Sequence, residues 1–214
     1  MAPLARVERP AATTPEGLLV LHHGRGTDER DLLGLADALD PERRLQVVSP
    51  RAPLTLPGSP GYHWYLVPRV GYPDPASFHA ARTALAELHD GLWEETGIGP
   101  ERTVLGGFSM GAVMSYAMGL GADRPAVAGI LAFSGFVATV EDWQPSLADR
   151  QGTRAFVAHG SRDPIIAVEF GRGARDLLEA GGLEVTYRES ELGHQVDPHA
   201  LADAGAWLGE TLSD

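Results

Sequence analysis

The stretch Thr103-Val104-Leu105-Gly106-Gly107-Phe108-Ser109-Met110-Gly111 reads as an apolar strand over 103–108 that turns through one serine into a helix over 110–120. It contains the pattern Gly-x-Ser-x-Gly from Gly107 to Gly111. A strand that passes at once into a helix holds the serine in a strained backbone conformation, and only glycine at 107 and 111 leaves room for neighbouring chain. The Ser109 hydroxyl is then expected to project above the end of the strand. The helix start beside it presents free N–H groups and the positive end of its dipole, so the Met110 amide is expected to stabilise an oxyanion there.

A serine hydroxyl becomes a useful nucleophile when a histidine takes its proton, and that histidine needs a carboxylate to fix its tautomer. Both are found downstream in the loops that follow strands. His159-Gly160-Ser161-Arg162-Asp163-Pro164 follows a strand over 154–158 and places Asp163 in such a loop, and Leu192-Gly193-His194-Gln195 follows a strand over 184–188 and places His194 in the next. The order Ser109, Asp163, His194 is that of the α/β-hydrolases and differs from the chymotrypsin and subtilisin orders. Asp163 would also serve as a turn former before Pro164 or as a helix cap. Its rivals Asp149 and Asp176 do not directly follow a strand. Of the rival bases, His199 falls inside a predicted helix, and His159 is better placed for a structural hydrogen bond.

Working outward, strands are expected at 17–21, 45–49, 103–108, 128–133, 154–158 and 184–188, and helices at 31–39, 75–96, 110–120, 166–180 and 198–212. Alternating strands and helices, with nearly continuous apolar strands, predict a largely parallel sheet covered by helices on both faces. One domain accounts for residues 1–214, with 1–16 read as an irregular N-terminal segment. Two long irregular stretches interrupt the alternation. The first, 50–75, is broken by prolines at 53, 57, 60, 68, 73 and 75, and the second, 134–151, carries Phe136 and Trp143. The aromatic cluster Tyr62, Trp64 and Tyr65, together with Phe136, is expected to wall a substrate pocket, although the cluster would equally well glue a proline-rich loop to the core. No insertion between the motifs is large enough for a separate lid domain, so an open, shallow site is expected.

The early segment Leu21-His22-His23-Gly24-Arg25-Gly26 lies where this architecture supplies a second oxyanion donor, and the Arg25 amide is the expected group. The adjacent histidines would point to opposite faces of a strand, and no third ligand follows at zinc-like spacing, so no metal site is expected. Composition narrows the chemistry further. All 17 basic residues are arginine, which excludes a Walker-type phosphate loop, a pyridoxal Schiff base and a lysine nucleophile. With zero cysteines there is no disulfide and no thiolate chemistry, as suits a cytoplasmic protein. A net charge of −12 disfavours nucleic acid and anionic membrane surfaces, and the apolar runs are too short to span a bilayer.

Together, these four motifs make the chain resemble the phospholipase/carboxylesterase family, which includes the acyl-protein thioesterases, over about residues 17–212. The resemblance implies an α/β-hydrolase fold, a Ser109–His194–Asp163 triad and an oxyanion hole built from the Arg25 and Met110 amides. It also places Trp64 where that family tends to carry an aromatic residue. Arg25 stands where the thioesterase branch commonly has an apolar residue, and Met110 where it often has glutamine. The expected activity is hydrolysis of small to medium-chain carboxylic esters through an acyl-enzyme, with no cofactor and a small-molecule ester as the partner. The alternatives are an acyl-thioesterase or lysophospholipase, a dienelactone-type lactonase, a peptidase, or a non-catalytic hydrolase-fold binding protein. Arg25 and Arg69 are candidate cations near the pocket, and the assembly is expected to be a monomer or homodimer.

Overall fold

A computed structural model describes residues 3–213. Among them, seven strands form one sheet: β1 (Arg6–Arg9), β2 (Leu18–His22), β3 (Gln46–Pro50), β4 (Thr103–Phe108), β5 (Gly129–Phe133), β6 (Arg154–Gly160) and β7 (Glu184–Ser190). Their spatial order is β1-β3-β2-β4-β5-β6-β7. All neighbours run parallel except β1, which pairs antiparallel with β3. The helices are α1 (Leu33–Leu39), α2 (Pro75–Thr96), α3 (Met110–Gly119), α4 (Val168–Ala180) and α5 (Pro198–Ser213).

The apolar runs of the inner strands are buried on both faces, and the period of two sorts them. Leu18 and Val20 of β2 join Phe78 and Leu85 of α2, Met114 of α3 and Leu178 of α4 in one core layer. Leu19 and Leu21 join Ala36 and Leu39 of α1 and Ala204, Trp207 and Leu208 of α5 in the other. The predicted parallel sheet with two helical layers is therefore what the chain adopts. Helix α2 has clear boundaries. The Asp74 side chain accepts the Ser77 N–H at its start, Pro75 occupies the first turn, and Gly97 closes it at φ 68°. Helix α3 is buried on every side, which explains its continuous run of small and apolar residues.

One expectation needs correction. The segment 1–16 is not irregular throughout, because β1 lies within it; Met1 and Ala2 are outside the described residues. As an edge strand it has only Val7 as an apolar residue between charges, so no hydrophobic run marks it. Its anchor is the buried ion pair from Arg9 to Asp40 at 2.6 Å, whose carboxylate also accepts the Arg44 and Leu45 amides. Among the described residues, no helix is long and apolar enough to cross a membrane.

Candidate active site

Three strands bring the site together at their C-terminal ends. After β4, Ser109 adopts φ 56° and ψ −119°, a conformation rarely accepted by a side-chain-bearing residue, and its amide donates to Phe133 O at 2.9 Å. The two flanking glycines permit this turn. A Cβ at Gly107 would sit 2.5 Å from the Gly111 carbonyl carbon, and a Cβ at Gly111 would land on the carbonyl oxygen of His22 at the end of β2. The serine is 8% exposed.

Asp163 sits in the loop after β6 and His194 in the loop after β7. His194 Nδ1 donates to Asp163 Oδ2 at 2.6 Å, which leaves Nε2 unprotonated and able to accept the Ser109 hydroxyl at 2.8 Å. The second carboxylate oxygen accepts the Ile165 and Ile166 amides at 2.8 and 2.9 Å. Burial opposes ionisation of Asp163, but the Ile166 amide, His194 and the Ile165 amide outweigh it and hold the carboxyl below the ordinary aspartate range. The rivals fall elsewhere. His159 Nε2 donates to Ile166 O at 2.8 Å, the expected structural bond, and His199 is exposed at the start of α5 with its amide on Asp197. Asp149 is exposed before β6, and the Asp176 carboxylate is engaged by Arg175 on α4.

The loop after β2 lies across the nucleophile turn. The Gly26 amide donates to Tyr62 O and the Tyr62 amide to Thr27 O, so the turn 24–27 is paired with 61–62. Gly61, at φ 62°, permits this approach, since a Cβ there would strike Gly26 O. Two side chains complete the brace. His23 Nε2 accepts the Ala52 amide at 3.0 Å, so Nδ1 carries the proton and donates to Gly24 O at 2.8 Å. Trp64 Nε1 donates to His23 O at 2.9 Å, and the Trp64 amide meets Met110 Sδ at 3.3 Å. Among the described residues, neither the Arg25 nor the Met110 amide has a backbone or side-chain acceptor.

The predicted aromatic wall is corrected by these positions. Trp64 is fully buried, Tyr65 is 2% exposed and packs on Phe78, and Phe136 is buried against Phe170. Tyr62 is half-buried, with the Arg51 guanidinium over its ring. Arg69 likewise lies over the Tyr72 ring at 3.6 Å and is not a free cation. Proline-rich sequence left this inward packing as one of two equal readings, because its hydrophobic pattern has no period to read. Sequence reading also missed Phe108, whose ring packs against the His194 imidazole with centroids 4.9 Å apart. Its place as the residue before the serine was the available signal. No cluster of histidine and acidic side chains able to hold a metal ion occurs among the described residues.

Known proteins place this geometry in context. The phospholipase/carboxylesterase family model matches residues 3–212. Acyl-protein thioesterase 1 of Gibberella zeae is 29% identical over 230 aligned residues, covering 95% of this chain and 94% of that protein. The Yarrowia lipolytica thioesterase of the same name is 27% identical over the full length of both. Among solved structures, esterase PE8 superposes with a TM-score of 0.82 at 29% identity, covering 98% of this chain and 100% of that one. The Bacillus cereus carboxylesterase gives 0.85 at 26% identity, covering 98% and 95%. With a family model spanning nearly its whole length and the α/β-hydrolase fold in place, the chain belongs to the phospholipase/carboxylesterase family, as a serine hydrolase acting on ester bonds.

Proposed function

We propose that the protein is a carboxylesterase that works through an acyl-enzyme, with Ser109 as nucleophile, His194 as general base and acid, and Asp163 as the group that orients His194. The observation that carries this reading is the continuous relay from Ser109 Oγ to His194 Nε2, at 2.8 Å, and from His194 Nδ1 to Asp163 Oδ2, at 2.6 Å. Ser109 attacks the ester carbonyl as His194 takes its proton, and the Arg25 and Met110 amides receive the tetrahedral oxyanion. His194 then protonates the departing alcohol. Water enters, gives a proton to His194 and attacks the acyl-serine, and as the intermediate collapses the bond to Ser109 Oγ breaks, His194 returns the proton to that oxygen, and the carboxylic acid leaves. The imidazolium formed in each half-reaction faces the ionised Asp163.

Small to medium acyl groups are the proposed substrates, because Trp64 and Tyr65, which would wall a long apolar groove, are packed in the core. A rate that climbs steadily with para-nitrophenyl ester chain length would contradict this. A second reading, thioester hydrolysis by the same residues, is supported by the relatives that carry the thioesterase name. An oxoester and a thioester of one acyl group, compared by kcat/KM, separate the two. For the mechanism itself, Ser109→Ala is expected to lose all measurable turnover and all labelling by a fluorophosphonate while keeping the wild-type circular dichroism spectrum. Turnover retained by a folded Ser109→Ala protein would sink the assignment.

A further inference from the structure

The cations of this protein are almost all partnered. Sixteen of its 17 arginines meet a carboxylate, a carbonyl or an aromatic ring, as in Arg51 on Glu29, Arg124 on Asp90 and Arg69 on Tyr72. Among the described residues, Arg25 is the one arginine with no hydrogen bond, ion pair or ring partner, and it is exposed. It sits on the turn between Gly24 and Gly26, whose amide is the proposed second oxyanion donor.

Its neighbours do not quench it. Asp28 accepts the Arg30 amide, and Glu29 is held by Arg51 at 2.6 Å and by Arg30 at 2.9 Å. The Arg25 cation stands close enough to His63 to add to the effect of burial in disfavouring that ring's protonation. His63 precedes Trp64, whose amide contacts the sulfur of Met110, the residue after the serine. The guanidinium is thus carried by the pair of loops that flanks the nucleophile. A free cation in this place is the more telling because the molecule as a whole carries a net charge of −12.

We propose that the Arg25 side chain selects esters that carry a carboxylate a few bonds from the scissile carbonyl. This deepens the esterase reading and rests on it. The planar guanidinium offers a carboxylate two parallel N–H donors, and the approaching substrate displaces water from the contact, which strengthens it. The charge can reside on the acyl chain, as in a half-ester of a dicarboxylic acid, or on the leaving alcohol. The Arg25 amide holds the oxyanion while its side chain holds the distant charge, so one residue sets the distance between the two.

The test compares kcat/KM for charged and neutral esters within each protein, so that any general loss caused by substitution cancels. The acyl arm uses mono-para-nitrophenyl succinate against its methyl diester. The leaving-group arm uses 4-acetoxybenzoate against 4-acetoxybenzamide. The wild-type protein is expected to favour the charged partner at least fivefold in one arm, with the preference shrinking as salt rises. In R25Q that preference is expected to vanish or invert under the field of the remaining charges, and R25K should retain part of it. An unchanged charged-to-neutral ratio in R25Q, or a wild-type preference for the neutral ester in both arms, overturns the proposal while leaving the esterase reading intact. Absence of turnover on the charged and neutral esters alike overturns the esterase reading and this proposal with it.

Discussion

Asp163 uses both of its oxygens, one on two backbone amides and the other on His194 Nδ1. The backbone bonds fix the carboxylate in the plane that the imidazole must meet, so the residue is both a loop anchor and a tautomer selector. These roles separate in Asp163→Asn. The Asn carbonyl can still accept the Ile165 and Ile166 amides, so the loop should hold. Its NH2, however, faces His194 Nδ1 and forces the proton onto Nε2, where it can no longer accept from Ser109. A fall in kcat on the order of 10³–10⁴ is expected with little change in thermal midpoint. A folded Asp163→Asn enzyme within tenfold of wild type would show that the carboxylate only caps its loop. His23 is the complementary case. It lies one residue from the fully buried His22, and both read alike in sequence, yet only the bonds from Ala52 and to Gly24 reveal that His23 braces the turn 24–27.

At the level of elements, the site depends on how closely β2 approaches the start of α3. That separation is set by Gly111, where a methyl group would occupy the position of His22 O. Neither partner can yield easily, because β2 is held between β3 and β4 and α3 is buried on all sides. Gly111→Ala is therefore expected to cost more than about 2 kcal/mol of stability and to lower activity by displacing Ser109 and the oxyanion turn together, as overpacked cores do. Urea titration and ester kinetics on the same preparation check this, and wild-type values for both would overturn it. This element was legible in the sequence because strand, serine and glycines carry an unavoidable steric requirement. Asp163 was legible for a related reason, since it follows an apolar run that could only be an inner strand, whereas His194 follows the partly exposed edge strand β7 and was marked by its place after that strand and Gly193. The edge strand β1 was not legible, because its anchor is the long-range pair of Arg9 with Asp40. The inward packing of Trp64 and Tyr65 was legible only as one of two equal readings, because it depends on Gly61 folding the proline-rich loop back onto the turn 24–27.

On the scale of the whole molecule, the interior holds an unusual titratable load. Of the eight histidines, five are buried: His22, His23, His63, His89 and His159. His22 and His89 form a pair with ring centroids 5.6 Å apart beneath Trp64. Burial, with smaller contributions from His89 and His23, drives His22 well below the ordinary imidazole range, and burial together with Arg124 pushes His89 down to about 3. Both rings are thus neutral in the fold but bind protons near pH 6.5 once the chain unfolds. The unfolded state takes up protons first as pH falls, so stability is complete above about pH 6.5 and declines below it by roughly 1.4 kcal/mol per pH unit for each ring. The carboxylates act later. Glu29, held at about 2 chiefly by its hydrogen bonds to Arg51, loses its contribution only as pH falls below the ordinary glutamate range. From pH 7 to pH 5 His89 alone is expected to remove about 2 kcal/mol, with His22 acting in the same direction, against the 5–15 kcal/mol typical of a folded domain. His89→Leu replaces one titrating ring by an apolar side chain and should reduce the loss of stability between the two pH values in urea titrations. An unchanged loss in His89→Leu would mean that the acid sensitivity arises elsewhere.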